Sequence, residues 1–380
     1  MTILSCQSVE DDIKITEPIS PKDKQLVLSF VNQNLKDECT LLSSSEQSKS
    51  ARLSREMEMS YVNSSIAQDD INSIVSRRDK LKSSDIEFTN SSVRLDETAT
   101  TFTLENGYAI LRVAANYRLP TNSKDTETGR QIVSEGIDYY NFKIQKTGNK
   151  YFIVDKSKVA DFPISEVFSE ALGSGTFQEG NRGGANSRIA ATYDKTNAVN
   201  FAITKYNNPP TTGYYDYSSS GGDCTNFLSH CLKSGGWTQV NAWFWANNGA
   251  SGNSMTQYGR SPSWTGAAQF YEYITNTGAS RVTSKFSDIE VYYWYSLPST
   301  VTTFKNATSV VNTGDIVQLS TTTAKSTVHH STIVTSKDAN AQKIFVTYRN
   351  ATGYPVAKDK FVGDFTGGQY IHGFTVKSSF

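Results

Sequence analysis

Cysteine and histidine are both scarce in this chain, with four of each among 380 residues. Cys6, Cys39, Cys224 and Cys231 are too few and too scattered for a disulfide framework, and no CxxC pair is present, so neither a zinc site nor any other metal or cofactor is expected. Net charge is also absent. Lys+Arg 37 cancel Asp+Glu 37, leaving no global field to recruit nucleic acid or an anionic surface. There is no internal repeat, no heptad and no phosphate-binding glycine loop, because the glycine runs at 221–222 and 235–236 lack the strand, loop and lysine that such a loop needs. No apolar run is long enough for a membrane-spanning helix or for the core of a signal peptide.

What is present divides the chain in two. A polar lead (1–23) is followed by Val27, Phe30, Val31 and Leu35 at helical spacing, then by two more helical stretches around Leu53–Tyr61 and Ile71–Val75. From Asp85 the period becomes alternating: Ala109, Leu111, Val113, Ala115 and Tyr117 share one strand face, Tyr140, Phe142 and Ile144 another, and a Thr147-Gly148-Asn149 turn leads to Tyr151–Val154. Residues 24–158 thus read as a smaller α+β domain, whose element order resembles the cystatin-like, nuclear-transport-factor-like cone. A Gly/Asn/Ser-rich stretch over 159–186 reads as linker, and 187–380 as a second α+β domain. That second part opens with a helix at about 187–206 and closes with strand signals at 315–319, 328–335, 344–348 and 370–376. It also holds every tryptophan (237, 243, 245, 264 and 294) in a Ser/Thr/Asn/Gly/Tyr-rich setting that suits a secreted protein handling polar polymers. Ile3-Leu4-Ser5-Cys6 has the form of the end of a bacterial lipoprotein signal, which makes Cys6 a candidate lipid anchor, although the hydrophobic segment of such a signal is missing.

The stretch GGDCTNFLSHCLKSGGW (221–237) carries the chemistry. Phe227, Leu228, Cys231 and Leu232 follow Cys224 at the spacing of an amphipathic helix, Asp223 is a good N-cap, and Gly235-Gly236 a good stop, so the spacing predicts a helix over 224–234 with Cys224 at its head. There the helix dipole and unpaired N–H groups favour thiolate and can hold an oxyanion. The competing reading makes Cys224 a small core residue. Cys231 is expected in the core.

A thiol nucleophile needs a base, and only His230, His329, His330 and His372 are available. His230 lies off the Cys224 stripe and reads as a surface residue, while His372 reads as a strand end. In Val328-His329-His330-Ser331-Thr332-Ile333-Val334 successive side chains face opposite ways, so only one histidine can face the thiol, and alternation does not choose between them. Folding the following hairpin about residue 339 or 340 sets Asn350 opposite the neighbourhood of His330, where its amide could orient the imidazole; a plain turn residue is the equal alternative.

In order, SRIAATYDKTNAVNFAITKYN, GGDCTNFLSHCLKSGGW, SPSWTGAAQFYEYI, GDIVQL and HHSTIVT resemble the bacterial putative amidase domain family, of the papain-like clan that also holds the CHAP cell-wall amidases. The resemblance covers 187–380. It implies a papain-like α+β fold with the nucleophile helix packed on an antiparallel sheet, Cys224 as nucleophile and His330 as base. The chain departs from the family at His230 and at Arg349-Asn350; the CHAP relatives favour Asn350 as third residue, with Tyr348 a poor substitute. Asp223, Trp243, Trp245 and Trp264 are the candidates for the substrate-binding side. The activity so implied is cysteine-dependent amide hydrolysis on peptidoglycan peptide or another cell-surface substrate, outside the cell or on its surface. A non-catalytic binding module and acyl transfer are the rivals.

Overall fold

The computed structural model describes residues 18–44, 47–159, 193–218, 222–237, 239, 243, 261–275, 292–295, 311–322, 327–338, 343–350, 353, 355–365 and 370–376. Cys6, Trp245 and nearly all of the expected linker lie outside the described residues.

In the first half, α1 (Lys24–Ser43), α2 (Gln47–Glu58) and α3 (Ser64–Ser83) precede four antiparallel strands, β1 (Ser92–Glu105), β2 (Tyr108–Lys124), β3 (Gln131–Thr147) and β4 (Lys150–Lys158). The hairpin β1–β2 closes on Asn106-Gly107, both at positive φ (50° and 82°), the conformation that matches the twist of the flanking strands. The apolar stripe of α1 (Val27, Val31, Leu35) packs on Leu111, Val113 and Phe142 of the sheet. The expected elements are present and extend further than their signals. β1 carries no such signal: beyond Val93 and Leu95 it is mostly exposed, so no apolar alternation announces it.

The second half contributes α4 (Lys195–Lys205), α5 (Cys224–Ser234), α6 (Pro262–Thr265) and α7 (Ala267–Thr275), with strands β5 (Tyr292–Tyr295), β6 (Ile316–Ser320), β7 (Val328–Lys337), β8 (Ile344–Tyr348), β9 (Val356–Phe361) and β10 (Tyr370–Phe374). The fold is α+β and every strand pair is antiparallel. One core, with Phe227, Leu228, Cys231, Ile316 and Ile333, lies under α5; a second, with Val317, Leu319, Val334, Val346 and Tyr348, takes the alternate residues of the same strands.

The two halves share a single sheet, ordered β1-β2-β3-β9-β8-β7-β6-β10-β5. The join is β3 against β9, with Glu135 opposite Lys358, Gly136 opposite Ala357 and Ile137 opposite Val356. Gly136 is required there, since a Cβ would collide with the Val356 carbonyl and the Tyr117 ring. Side chains fasten the same junction: Arg112 donates to the Gly353 carbonyl at 2.5 Å, Thr126 to the Lys337 carbonyl at 2.8 Å, and Arg77 to both oxygens of Asp364 at 2.9 and 2.6 Å. Burial alone would raise the Asp364 pKa, but Arg77 holds it below the ordinary carboxylate value. The pair therefore stabilises the fold above that ordinary value, and the contribution is lost as pH falls through the depressed one. Asp364→Asn is expected to cost about 2 kcal/mol near pH 7, Arg77 being partly solvated, with the gap to wild type narrower at an acid pH below the ordinary carboxylate value. Urea unfolding at the two pH values checks this.

Candidate active site

The head of α5 is set by a buried ion pair. Asp223 stands at the N-cap position, yet its side chain does not cap the helix, contrary to expectation. The carboxylate accepts from Arg349 Nε at 3.0 Å, Asn226 Nδ2 at 2.8 Å, the Tyr217 N–H at 3.2 Å and the Tyr214 hydroxyl. Arg349, just past β8, also donates to Asp216 Oδ2 at 3.0 Å and to the Tyr206 carbonyl at 2.8 Å. One guanidinium thereby ties together the end of α4, the loop before α5 and the end of β8. Burial raises the Asp223 pKa to about 6 against the opposing pull of Arg349 and Tyr214. Fully buried and saturated with partners, Asp223 offers nothing to a substrate, which corrects its assignment to the binding side. In the sequence Arg349 stands out only as a departure from the family pattern; the signal for the pair is an arginine ending an apolar strand and an aspartate heading an apolar helix, each costly to bury alone.

The Cys224 side chain is 7% exposed. Its sulfur lies 3.7 Å from Thr225 Oγ1, and hydrogen bonding to the Ser331 and Thr225 backbone acts to lower the thiol pKa. The thiol pKa is raised, with burial the largest cause and Asp223 adding to it, against the lowering effect of those hydrogen bonds. The expected thiolate at a helix N-terminus is thus corrected. A helix terminus is worth about 0.3–1 kcal/mol, whereas burial of an ionisable group shifts its pKa by up to several units.

His330 is fully buried on β7, its ring edge-on to Tyr348 with centroids 4.6 Å apart. Burial, then His329 and Lys360, hold its pKa well below 6.5, so the imidazole is neutral. It directly precedes Ser331, whose Oγ lies 2.9 Å from Thr225 Oγ1 of α5, so the Ser331 side chain turns to α5 and the His330 ring to Tyr348 on the other face of β7. His329 is half-buried, with Nδ1 3.1 Å from the Thr327 carbonyl. Asn350 is buried just beyond β8, and its Oδ1 lies 3.7 Å from where a Cβ on Gly222 would stand. The register that sets Ile333 opposite Thr347, continued three residues, sets His330 opposite Asn350. The structure therefore gathers the head of α5, the His330 segment of β7 and the end of β8 in one place.

Four other candidates belong to the core. Trp243 and Trp264 are fully buried behind α5, their indole N–H groups donating to Ser229 Oγ at 3.1 Å and Asn226 Oδ1 at 3.0 Å, so neither lines a groove. His230, expected at the surface, is buried among Phe201, Tyr214 and Trp264, and burial pulls its pKa to about 3. The reason is that α5 is buried on all sides over its first nine residues, so positions off the apolar stripe are no more exposed than those on it. His372 pairs with Ser320 Oγ at 2.7 Å and sits edge-on to Tyr271, its pKa pulled to about 4 by burial.

A folded-state pKa near 6 for Asp223 lies above the ordinary 3.8, so this group's contribution to stability falls as pH rises between those values. Arg349→Met should cost about 3–5 kcal/mol near pH 7 by leaving the carboxylate without its counterion, and should extend the fall to higher pH. Adding Asp223→Asn should recover much of the loss. Urea unfolding of the two single variants and the double variant gives the coupling; strictly additive losses contradict a direct pair.

No curated protein and no solved structure matches the chain. Residues 192–370 match the model of a family described as a putative amidase domain. That segment includes α4 to α7, the strands β5 to β9, Cys224, His330, Arg349 and Asn350, so it is the second half of the chain that is similar to this family, named for the hydrolysis of amide bonds.

Proposed function

We propose that the protein hydrolyses amide bonds with Cys224 as nucleophile, His330 as base and Asn350 as the group that orients it, and that the substrate is peptidoglycan peptide or another polymer of the bacterial cell surface. The observation that carries the reading is the 2.9 Å hydrogen bond between Thr225 Oγ1 and Ser331 Oγ, which seats the head of α5 against the residue that follows His330. With both pKa shifts favouring the neutral forms, the resting pair is thiol and imidazole. The proton then leaves sulfur for His330 as the S–C bond forms, and the negative charge moves to the carbonyl oxygen, where backbone N–H groups at the head of α5 hold it. Collapse breaks the C–N bond, His330 returns the proton to the departing amine, and water attacks the thioester with His330 again as base, regenerating the thiol.

A non-catalytic cell-surface binding module is the second reading, and the burial of both Cys224 and His330 favours it. Digestion of purified peptidoglycan separates the two. Cys224→Ala and His330→Ala are expected to lose at least about a hundredfold in rate, and Asn350→Ala less. Full activity in the Cys224→Ala variant removes the enzyme reading. Because His330 must be neutral to accept the proton and its pKa is depressed, the rate should hold as pH falls through 6.5 and drop only further into acid. An acid limb at or above pH 6.5 contradicts the assignment of His330.

A further inference from the structure

A chain of buried hydroxyls runs from the Cys224 sulfur into the sheet. Thr225 Oγ1 is 3.7 Å from Cys224 Sγ and 2.9 Å from Ser331 Oγ, and Ser331 Oγ accepts from Gln318 Nε2 at 2.8 Å. Thr225, Gln318 and Ser331 are all fully buried. Hydroxyl hydrogens can point either way, but here the far end decides. The Gln318 amide nitrogen also donates to the Ala267 carbonyl at 3.0 Å, and a carbonyl can only accept, so the amide must present nitrogen to both neighbours. The orientation is retained although it leaves Gln318 Oε1 buried without a hydrogen bond.

Given that fixed end, the remaining directions follow. Ser331 Oγ accepts from Gln318 and has Thr225 Oγ1 as its other polar neighbour, so its own hydrogen goes to Thr225; any other choice leaves a buried O–H without an acceptor. Thr225 then accepts from Ser331, and its hydrogen points at the Cys224 sulfur. We propose that Gln318, acting through Ser331 and Thr225, is a positioning residue that directs a hydrogen bond onto the sulfur of Cys224. The relay has two effects. It places a donor on the sulfur where negative charge develops as the proton leaves, and it keeps the thiol hydrogen from being given to Thr225, leaving it for the base. Were the chain reversed, the S–H would donate to Thr225, away from His330. The role in catalysis rests on the reading of Cys224 as nucleophile; the effect on the thiol does not.

The test reads the thiol itself. The rate of Cys224 alkylation by iodoacetamide, followed by peptide mass spectrometry against pH in the full chain, reports its acidity, and ultraviolet thiolate absorbance taken as a difference from Cys224→Ala gives a second measure. Thr225→Val, Ser331→Ala and Gln318→Met should each raise the thiol pKa by about one unit, a tenfold slower alkylation at a fixed pH below it. Thr225→Ser, which keeps the hydroxyl, should behave as wild type. Gln318→Met combined with Thr225→Val should slow alkylation no more than Thr225→Val alone, since both cut the same chain. Unchanged acidity in folded Thr225→Val, or a Gln318→Met effect that simply adds to it, overturns the relay. Should Gln318→Met not fold, the Thr225→Val and Thr225→Ser pair decides. Amide hydrolysis surviving in Cys224→Ala would instead remove the catalytic reading while leaving the acidity shifts in place, so the two failures are distinguishable.

Discussion

The ion pair between Asp223 and Arg349 is the constraint from which the geometry of the second half follows. A carboxylate at the head of a buried helix and a guanidinium at the end of a buried strand can be tolerated only together, and their contact fixes where α5 meets β8. Arg349 also reaches Asp216 and the Tyr206 carbonyl, so the α4 end and the loop before α5 are held by the same group. Such a pair is weak evidence of stability, because burial costs much of what the Coulomb attraction returns. Its effect here is positional: Cys224 follows Asp223, Asn350 follows Arg349, and both come to the segment of β7 that carries His330.

The electrostatics at Cys224 follow from that burial. A position that on local grounds should favour thiolate holds a thiol, since loss of solvation and the neighbouring Asp223 outweigh the helix terminus and the hydrogen bonding to the backbone. The same loss keeps His330 neutral. Two neutral groups avoid an unscreened ion pair at rest, and the hydrogen bonds aimed at the sulfur matter most when charge forms there. The first half of the chain takes part in this arrangement, because Arg112 holds the Gly353 carbonyl close after Asn350 and β3 extends the sheet of the second half through β9.

Much of the local structure was legible in the sequence. The helix 224–234 was expected at its observed ends, because apolar spacing and the glycine pair agree, and β8 likewise, because IFVTY is an uninterrupted β-forming run. The antiparallel pairing of β7 with β8 was also readable, since hairpin register follows from where the chain reverses. By contrast β9, Val356–Phe361, with two lysines and an aspartate among six residues, has no apolar alternation and is a strand because β3 and β8 flank it. The burial of Trp243, Trp264 and His230 is not legible from side-chain chemistry and helical spacing, because it depends on the packing that encloses the first nine residues of α5.

The class of fold, the helix with Cys224 at its head, the short list of histidines and the pattern shared with an amidase family are written in the order of residues, because these depend on neighbours within a few residues or on order along the chain. Packing in three dimensions is what makes one sheet join both halves, pairs Asp223 with Arg349 instead of with its helix, favours the thiol form of Cys224, and sets Gln318 at the far end of its hydrogen bonds. Each of those depends on residues far apart in sequence, and on the loss of water that occurs only when they pack together.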